Sequence, residues 1–211
     1  MPVRDLGLNA AGTPTVTHEP AAEGRNGSPP SPSGRGNEGE GETAPFRDTI
    51  PDSNAARWFL PFSAETTPRV AALLAEAAAA QGEDARADTL LKAAWHADPH
   101  CLAVYFAFYK FYFYRGRLLE AERAALDGLT EAAAQGGFSD DWEQLHAGSA
   151  DWTQASGPAR FYLFSLKALA FIRLRRGRIS EARTILARLA ELDPADQVGG
   201  SVIRSLAAKI R

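Results

Sequence analysis

The chain has 211 residues, with 23 Lys plus Arg against 26 Asp plus Glu and a formal net charge of −3. That length accommodates one or two domains with a sizeable core, and the near-balance of charge gives no global attraction to nucleic acid or to an anionic membrane. The single cysteine, Cys101, excludes an intramolecular disulfide and a thiolate metal cluster.

Residues 1–6, Met-Pro-Val-Arg-Asp-Leu, lack the apolar core of a leader peptide. The longest apolar run, residues 101–114, is interrupted by Lys110 and is too short to span a bilayer. Arg outnumbers Lys 19 to 4 and Ala is abundant, which fits a GC-rich bacterial genome. The expectation is a soluble cytoplasmic protein with no membrane partner.

Residues 1–50 hold 7 Pro and 8 Gly, and residues 21–42 contain no aromatic, Leu, Ile or Val. Such a segment cannot bury enough apolar surface to offset an ordering entropy of about 1–2 kcal/mol per residue. It reads as a disordered tail, and an acidic one, with 4 basic against 7 acidic residues. Residues 51–65 carry a short apolar patch, Trp58-Phe59-Leu60-Pro61-Phe62. Pro61 forbids a continuous helix through it. The patch reads either as a strap that docks on the folded body or as a short motif presented to a partner.

From residue 66 the pattern is all-α. Thr66 or Thr67 before Pro68 supplies an N-cap with proline at the first helical position. Ala and Leu run on to Ala80, and Gly82 stops the helix. The aromatic stretch from Val104 to Tyr114 has the composition of a strand but the length of a buried helix.

Three segments share one register: Gly82-Glu-Asp-Ala-Arg-Ala87, Gly116-Arg-Leu-Leu-Glu-Ala121 and Gly177-Arg-Ile-Ser-Glu-Ala182. Asp98-Pro99 and Asp193-Pro194 close the first and third copies. Gly82 and Gly116 lie 34 residues apart; Gly116 and Gly177 lie 61 apart, an excess of 27. Each Gly ends the first helix of a pair, each Ala sits where two helices cross closely, and Asp-Pro closes the second helix.

This pattern resembles the tetratricopeptide repeat family, whose period is 34 residues. The resemblance covers residues 66–196 and implies a solenoid of antiparallel helix pairs, with copies at about 68–101, 102–135 and 163–196. The family's first-helix positions fall on Tyr105, Phe108, Tyr109 and Tyr112 in copy two. They fall on Leu166, Leu169, Ala170 and Arg173 in copy three, and on Ala71, Leu74, Ala75 and Ala78 in copy one. Copy two has Ala133 where a closing Pro belongs, so its second helix runs on to Gln135 and breaks at Gly136-Gly137.

The excess falls in an insertion at 136–158. There Ser139-Asp140-Asp141 caps a predicted short helix carrying Trp142, Leu145 and His146. Residues 197–210, with Val202, Ile203, Leu206 and Ile210 at helical spacing, read as a terminal capping helix.

The resemblance implies a concave groove lined by first helices, a place where the family binds peptides or helices. The matching positions are Phe106, Lys110, Phe113 and Tyr114 in copy two, and Phe164, Lys167, Phe171, Leu174 and Arg175 in copy three. Copy one adds Arg69, Glu76 and Ala80. Such a groove suits an acidic, partly apolar protein segment; any one of these aromatics could instead pack in the core. The family's carboxylate clamp needs Asn at set groove positions, and the folded region has none there.

The alternative is nucleic-acid or regulatory binding through residues 160–188, which hold 8 basic side chains against Glu181 alone. Metal binding by His96, His100 and Cys101 is opposed by Pro99 between the histidines. His146 with Asp140, Asp141 and Glu143 lacks a nucleophile with an orienting base. No cofactor motif is present: Gly34-x-Gly36 has no strand and helix around it. The reading is a non-enzymatic binding protein without metal or cofactor. A last resemblance rests on residues 103–114, Ala-Val-Tyr-Phe-Ala-Phe-Tyr-Lys-Phe-Tyr-Phe-Tyr, with 157–164, Gly-Pro-Ala-Arg-Phe-Tyr-Leu-Phe. These are similar to small repeat proteins among bacterial nitrogen-fixation accessory proteins, which implies a partner in that machinery.

Overall fold

The computed structural model describes residues 62, 66–80 and 82–210. The acidic tail and all of the apolar patch except Phe62 lie outside the described residues. Among the described residues the regular structure is helical throughout: α1 (Pro68–Ala79), α2 (Asp84–Ala97), α3 (Leu102–Tyr114), α4 (Leu118–Gly136), α5 (Gly157–Arg175), α6 (Ile179–Leu192) and α7 (Gly200–Lys209). None of these helices is long and apolar enough to cross a membrane.

The helices begin and end where their termini can be satisfied. Thr67 accepts the Val70 N–H on its side-chain oxygen at 3.4 Å, and Pro68 follows in the first turn of α1. Gly82, Gly116 and Gly177 have φ of 82°, 71° and 75°, and a Cβ added at any of them would meet nothing within 4 Å. Left-handed backbone, not lack of space, asks for glycine at all three. Copies two and three close their first helices with one bond pattern: Arg117 N–H to Tyr112 C=O and Arg178 N–H to Arg173 C=O, both 2.9 Å. Ala87, Ala121 and Ala182 are all buried.

Consecutive helices pack as hairpins, α1 with α2, α3 with α4 and α5 with α6, and α7 lies against α6 and α5. The odd-numbered helices also touch in succession, α1 to α3, α3 to α5 and α5 to α7. They therefore share one side of the molecule, with the even-numbered helices behind. α3 is buried almost all round, from Leu102 to Tyr109 and again at Phe111 and Tyr112, as an aromatic helix between two neighbours must be.

Two boundaries depart from expectation. α5 begins at Gly157, six residues before the predicted 163, because Pro158 fits the first helical turn. The insertion forms hydrogen-bonded turns and no short helix at Trp142–His146. Asp141 and Asp151 accept the N–H groups of Glu143 and Thr153 two residues on, at 3.0 and 3.1 Å, which satisfies the backbone locally in competition with a helix. Phe138 packs on Trp152 and Tyr162 with centroids 5.2 and 5.1 Å apart. Tyr162 donates to the Asp140 carbonyl at 2.9 Å, and these contacts pin the insertion to α5. The predicted end of α4 agrees: Gly137 is left-handed at φ 69° and Phe138 N–H reaches Ala133 C=O at 3.1 Å.

Candidate functional site

Residues seven apart on a helix return to one face after two turns. Phe106 and Phe113 do so on α3, and Phe164 and Phe171 on the adjacent α5. Together these helices and α7 line a half-open cavity of about 260 Å³. It is lined by Phe106, Tyr109, Lys110, Phe113 and Tyr114 from α3, by Phe164, Lys167, Ala168, Phe171 and Ile172 from α5, and by Ile203 from α7. Phe113 and Phe171 face one another with centroids 5.1 Å apart. A space of this size takes one or two large apolar side chains, being smaller than the roughly 300–1,000 Å³ of small-molecule sites.

The cations of the groove lie over its rings. Lys110 Nζ is 4.6 Å from the Phe106 centroid, Lys167 Nζ is 5.0 Å from that of Phe164, and the Arg160 guanidinium is 4.9 Å from Phe164. Burial pulls the Lys110 ammonium below its ordinary pKa, and the charge of Lys167 pulls it further. Lys167 is lowered chiefly by burial and also by Arg160, against the opposing pull of Asp196 and Asp193. It donates to the Val198 carbonyl. No acidic side chain is among the lining residues. The arrangement is an apolar slot with positive charge at its wall, chemistry that favours an aromatic or aliphatic group next to a carboxylate.

The structure thus brings together Phe106, Lys110, Phe113, Tyr114, Phe164, Lys167 and Phe171. Arg175 stands outside the lining, exposed, with its guanidinium 5.7 Å from the Phe113 centroid. Leu174 and Ala80 are buried instead of facing a groove. Sequence reasoning missed Tyr109, Ala168, Ile172 and Ile203. Ile203 had a signal in the helical spacing of Val202, Ile203, Leu206 and Ile210, which marks an apolar face without saying what it packs on; Val202 on that face is exposed. Phe62 was seen only as part of an apolar patch. Its ring packs at 5.3 Å from Phe106, 5.1 Å from Phe161 and 5.8 Å from Phe164.

The basic run at 160–188 is largely engaged within the protein. Glu122, buried on α4, accepts from Arg173 at 2.9 Å, from Arg178 at 2.8 Å and from Arg176. Arg183 donates to the carbonyls of Ala207 and Ile210, both at 2.9 Å, and Arg188 donates to the Glu143 carbonyl at 3.1 Å. The His96, His100 and Cys101 side chains have separate partners. His96 packs beside Trp95, His100 Nδ1 meets Glu131 at 2.9 Å, and Cys101 is buried with its Sγ 3.8 Å from Thr66 Oγ1. Among the described residues no group of three or more His, Cys, Asp or Glu side chains could hold a metal ion. His146 Nδ1 accepts the Gly148 N–H at 3.1 Å within its own turn.

No protein-family model matches the chain, and no solved structure matches it. A curated protein of Azotobacter chroococcum mcd 1, described as an uncharacterized 19.8 kDa protein in the nifW 5′ region, is similar to it. The two are 27% identical over 134 residues, which cover 63% of this chain and 75% of that protein.

Proposed function

We propose that the protein is a non-catalytic binding module, a tetratricopeptide-like helical solenoid whose groove takes an acidic, partly apolar segment of a partner protein. The observation that carries this reading is the cavity itself. Two aromatic pairs two helical turns apart and two desolvated lysines converge on one slot with no acid in its lining. Two lysines over aromatic faces favour an incoming carboxylate, and the cavity lined by Phe106, Phe113, Phe164 and Phe171 accepts an apolar anchor. The recurrence of left-handed Gly82, Gly116 and Gly177 with buried alanines five residues on supports the repeat architecture. The similarity to a protein from the nifW 5′ region supports a partner among the components or maturation factors of bacterial nitrogen fixation. The engagement of Arg173, Arg176 and Arg178 by Glu122 weighs against phosphate binding by that run.

The test is capture of partners on the full-length protein from host lysate, beside Phe171→Glu, with and without nuclease. Phe171 is half-buried at the cavity wall, so a carboxylate there meets the incoming acidic segment without opening the core. The expected outcome is a partner that survives nuclease and falls at least about tenfold in the variant, with unchanged helical circular dichroism. Equal capture by the folded variant overturns the groove, and recovery only without nuclease transfers the reading to nucleic acid.

A further inference from the structure

We propose that the anchor this cavity takes is a tyrosine of the partner segment, held at its tip by the Ser165 hydroxyl; this rests on the groove reading above and names its anchor. Ser165 is fully buried on α5, and its Oγ has no hydrogen-bond partner among the described residues. A buried hydroxyl left unpaired carries a desolvation penalty that a hydrogen bond would offset. A hydroxyl inside a helix commonly escapes that penalty by donating to the carbonyl one turn back. Thr89 and Thr184 do so, reaching Ala85 and Ser180 at 2.8 and 3.2 Å; Ser165 makes no such bond. It lies on the face of α5 that carries Ala168 and Ile172, three and seven residues on, and both of these line the cavity. From α3, Tyr109 also lines it and is only 5% exposed. Burial raises the Tyr109 hydroxyl well above its ordinary pKa, and Ser165 pulls it partly back. The two hydroxyls are therefore neighbours, although no hydrogen bond of ordinary length and angle joins them.

The rest of the lining is aromatic rings, aliphatic side chains and two lysines. A ring is the shape that gains tilted and edge-to-face contact there. Its polar group must stand at the far end of that ring to meet a hydroxyl that solvent does not reach. A phenol has that form. Phenylalanine has no polar atom, and the indole N–H of tryptophan stands on the flank of its ring and only donates. A phenolic hydroxyl both donates and accepts, so it pairs with Ser165 whichever way the serine proton turns. A phenylalanine fills the same space and leaves Ser165 as it was. The discrimination therefore comes from one hydrogen bond formed out of reach of bulk water, about tenfold in affinity.

The experiment uses the full-length chain and two probes, N-acetyl-tyrosine and N-acetyl-phenylalanine, titrated by NMR. The probes carry the same carboxylate and differ by one hydroxyl. The unaltered chain is expected to bind N-acetyl-tyrosine about tenfold more tightly, and the ratio of the two affinities is expected to fall to about one in Ser165→Ala. Equal affinities for the unaltered chain overturn the proposal, as does binding of neither probe; both results need no variant. A preference that survives in a Ser165→Ala chain with intact helical dichroism overturns it as well. Thermal unfolding gives a separate reading. Removal of an unpaired hydroxyl is expected to leave Ser165→Ala melting no lower than the unaltered chain. A melting temperature lower by roughly 5 °C or more shows a hydroxyl already satisfied inside the protein and overturns the proposal. Any of these failures leaves the groove reading standing if Phe171→Glu still loses its partner, since that capture does not depend on which anchor the partner brings.

Discussion

The two junctions between successive hairpins are built differently. α4 packs along α5 far more extensively than α2 packs along α3. At the α4–α5 junction Glu122 is buried among three arginines. Gly128 lets α4 approach so closely that a Cβ would lie 3.0 Å from that of Tyr105 and 3.2 Å from the Phe161 ring. At the α2–α3 junction the polar contacts are part-buried or exposed. Tyr112 donates to Asp88 at 2.8 Å, Arg115 meets Asp84 at 2.6 Å, and Trp95 donates to the Tyr105 hydroxyl at 3.1 Å. Exposed pairs contribute about 0–1 kcal/mol each, whereas the buried junction depends on every partner being present. Both long walls of the groove, α3 and α5, belong to the closely packed part. The two walls of the cavity are therefore packed against α4 without the help of the first hairpin.

The sharpest way to break this contrast is at Glu122. Glu122→Gln leaves three guanidinium groups with Glu181 as their remaining carboxylate, 3.4 Å from Arg173 and also paired with Arg178, and the expected loss is about 3 kcal/mol, read from chemical denaturation followed at 222 nm. Gly128→Ala comes next. Overpacking costs about 1–3 kcal/mol and alanine returns about 1 kcal/mol of helix propensity, so a net loss of about 1 kcal/mol is expected. Asp84→Ala, which removes an exposed carboxylate from Arg115, is expected to change stability by less than about 0.5 kcal/mol. If Asp84→Ala costs as much as Glu122→Gln, the junctions are equivalent and the contrast between them fails.

The parts legible in the sequence are those governed by local rules. A left-handed residue after a helix favours glycine, so Gly82, Gly116 and Gly177 announced their turns. The heptad spacing of Phe106 with Phe113 and of Phe164 with Phe171 placed each pair on one helix face. What stayed hidden depends on residues far apart in the chain. Glu122 lies 51–56 residues from the arginines it holds, so the run at 160–188 looked like a bare basic face. Ile203 joins the cavity only because α7 folds back on α5. The start of α5 was displaced because a repeat template outweighed the local signal of Gly157-Pro158. Phe62 stood in an apolar patch whose target among the rings of α3 and α5 is set by tertiary packing alone.

The smallest effect belongs to the exposed end of the weaker junction. His100, in the turn between α2 and α3, meets Glu131 of α4 at 2.9 Å. That hydrogen bond, followed by the attraction of the same carboxylate, raises the imidazole above its ordinary 6.5. A raised folded-state pKa means the protonated form is favoured by folding. The pairing therefore adds stability below the unfolded value and loses it as pH rises through the folded one. Solvent around His100, which is almost fully exposed, keeps the contribution small. The expected result is an imidazole titration by NMR that moves back toward the ordinary value in Glu131→Gln, with a stability difference between the two proteins that shrinks as pH rises past neutrality. A His100 titration unchanged by Glu131→Gln would mean that this ion pair does not join the turn to α4.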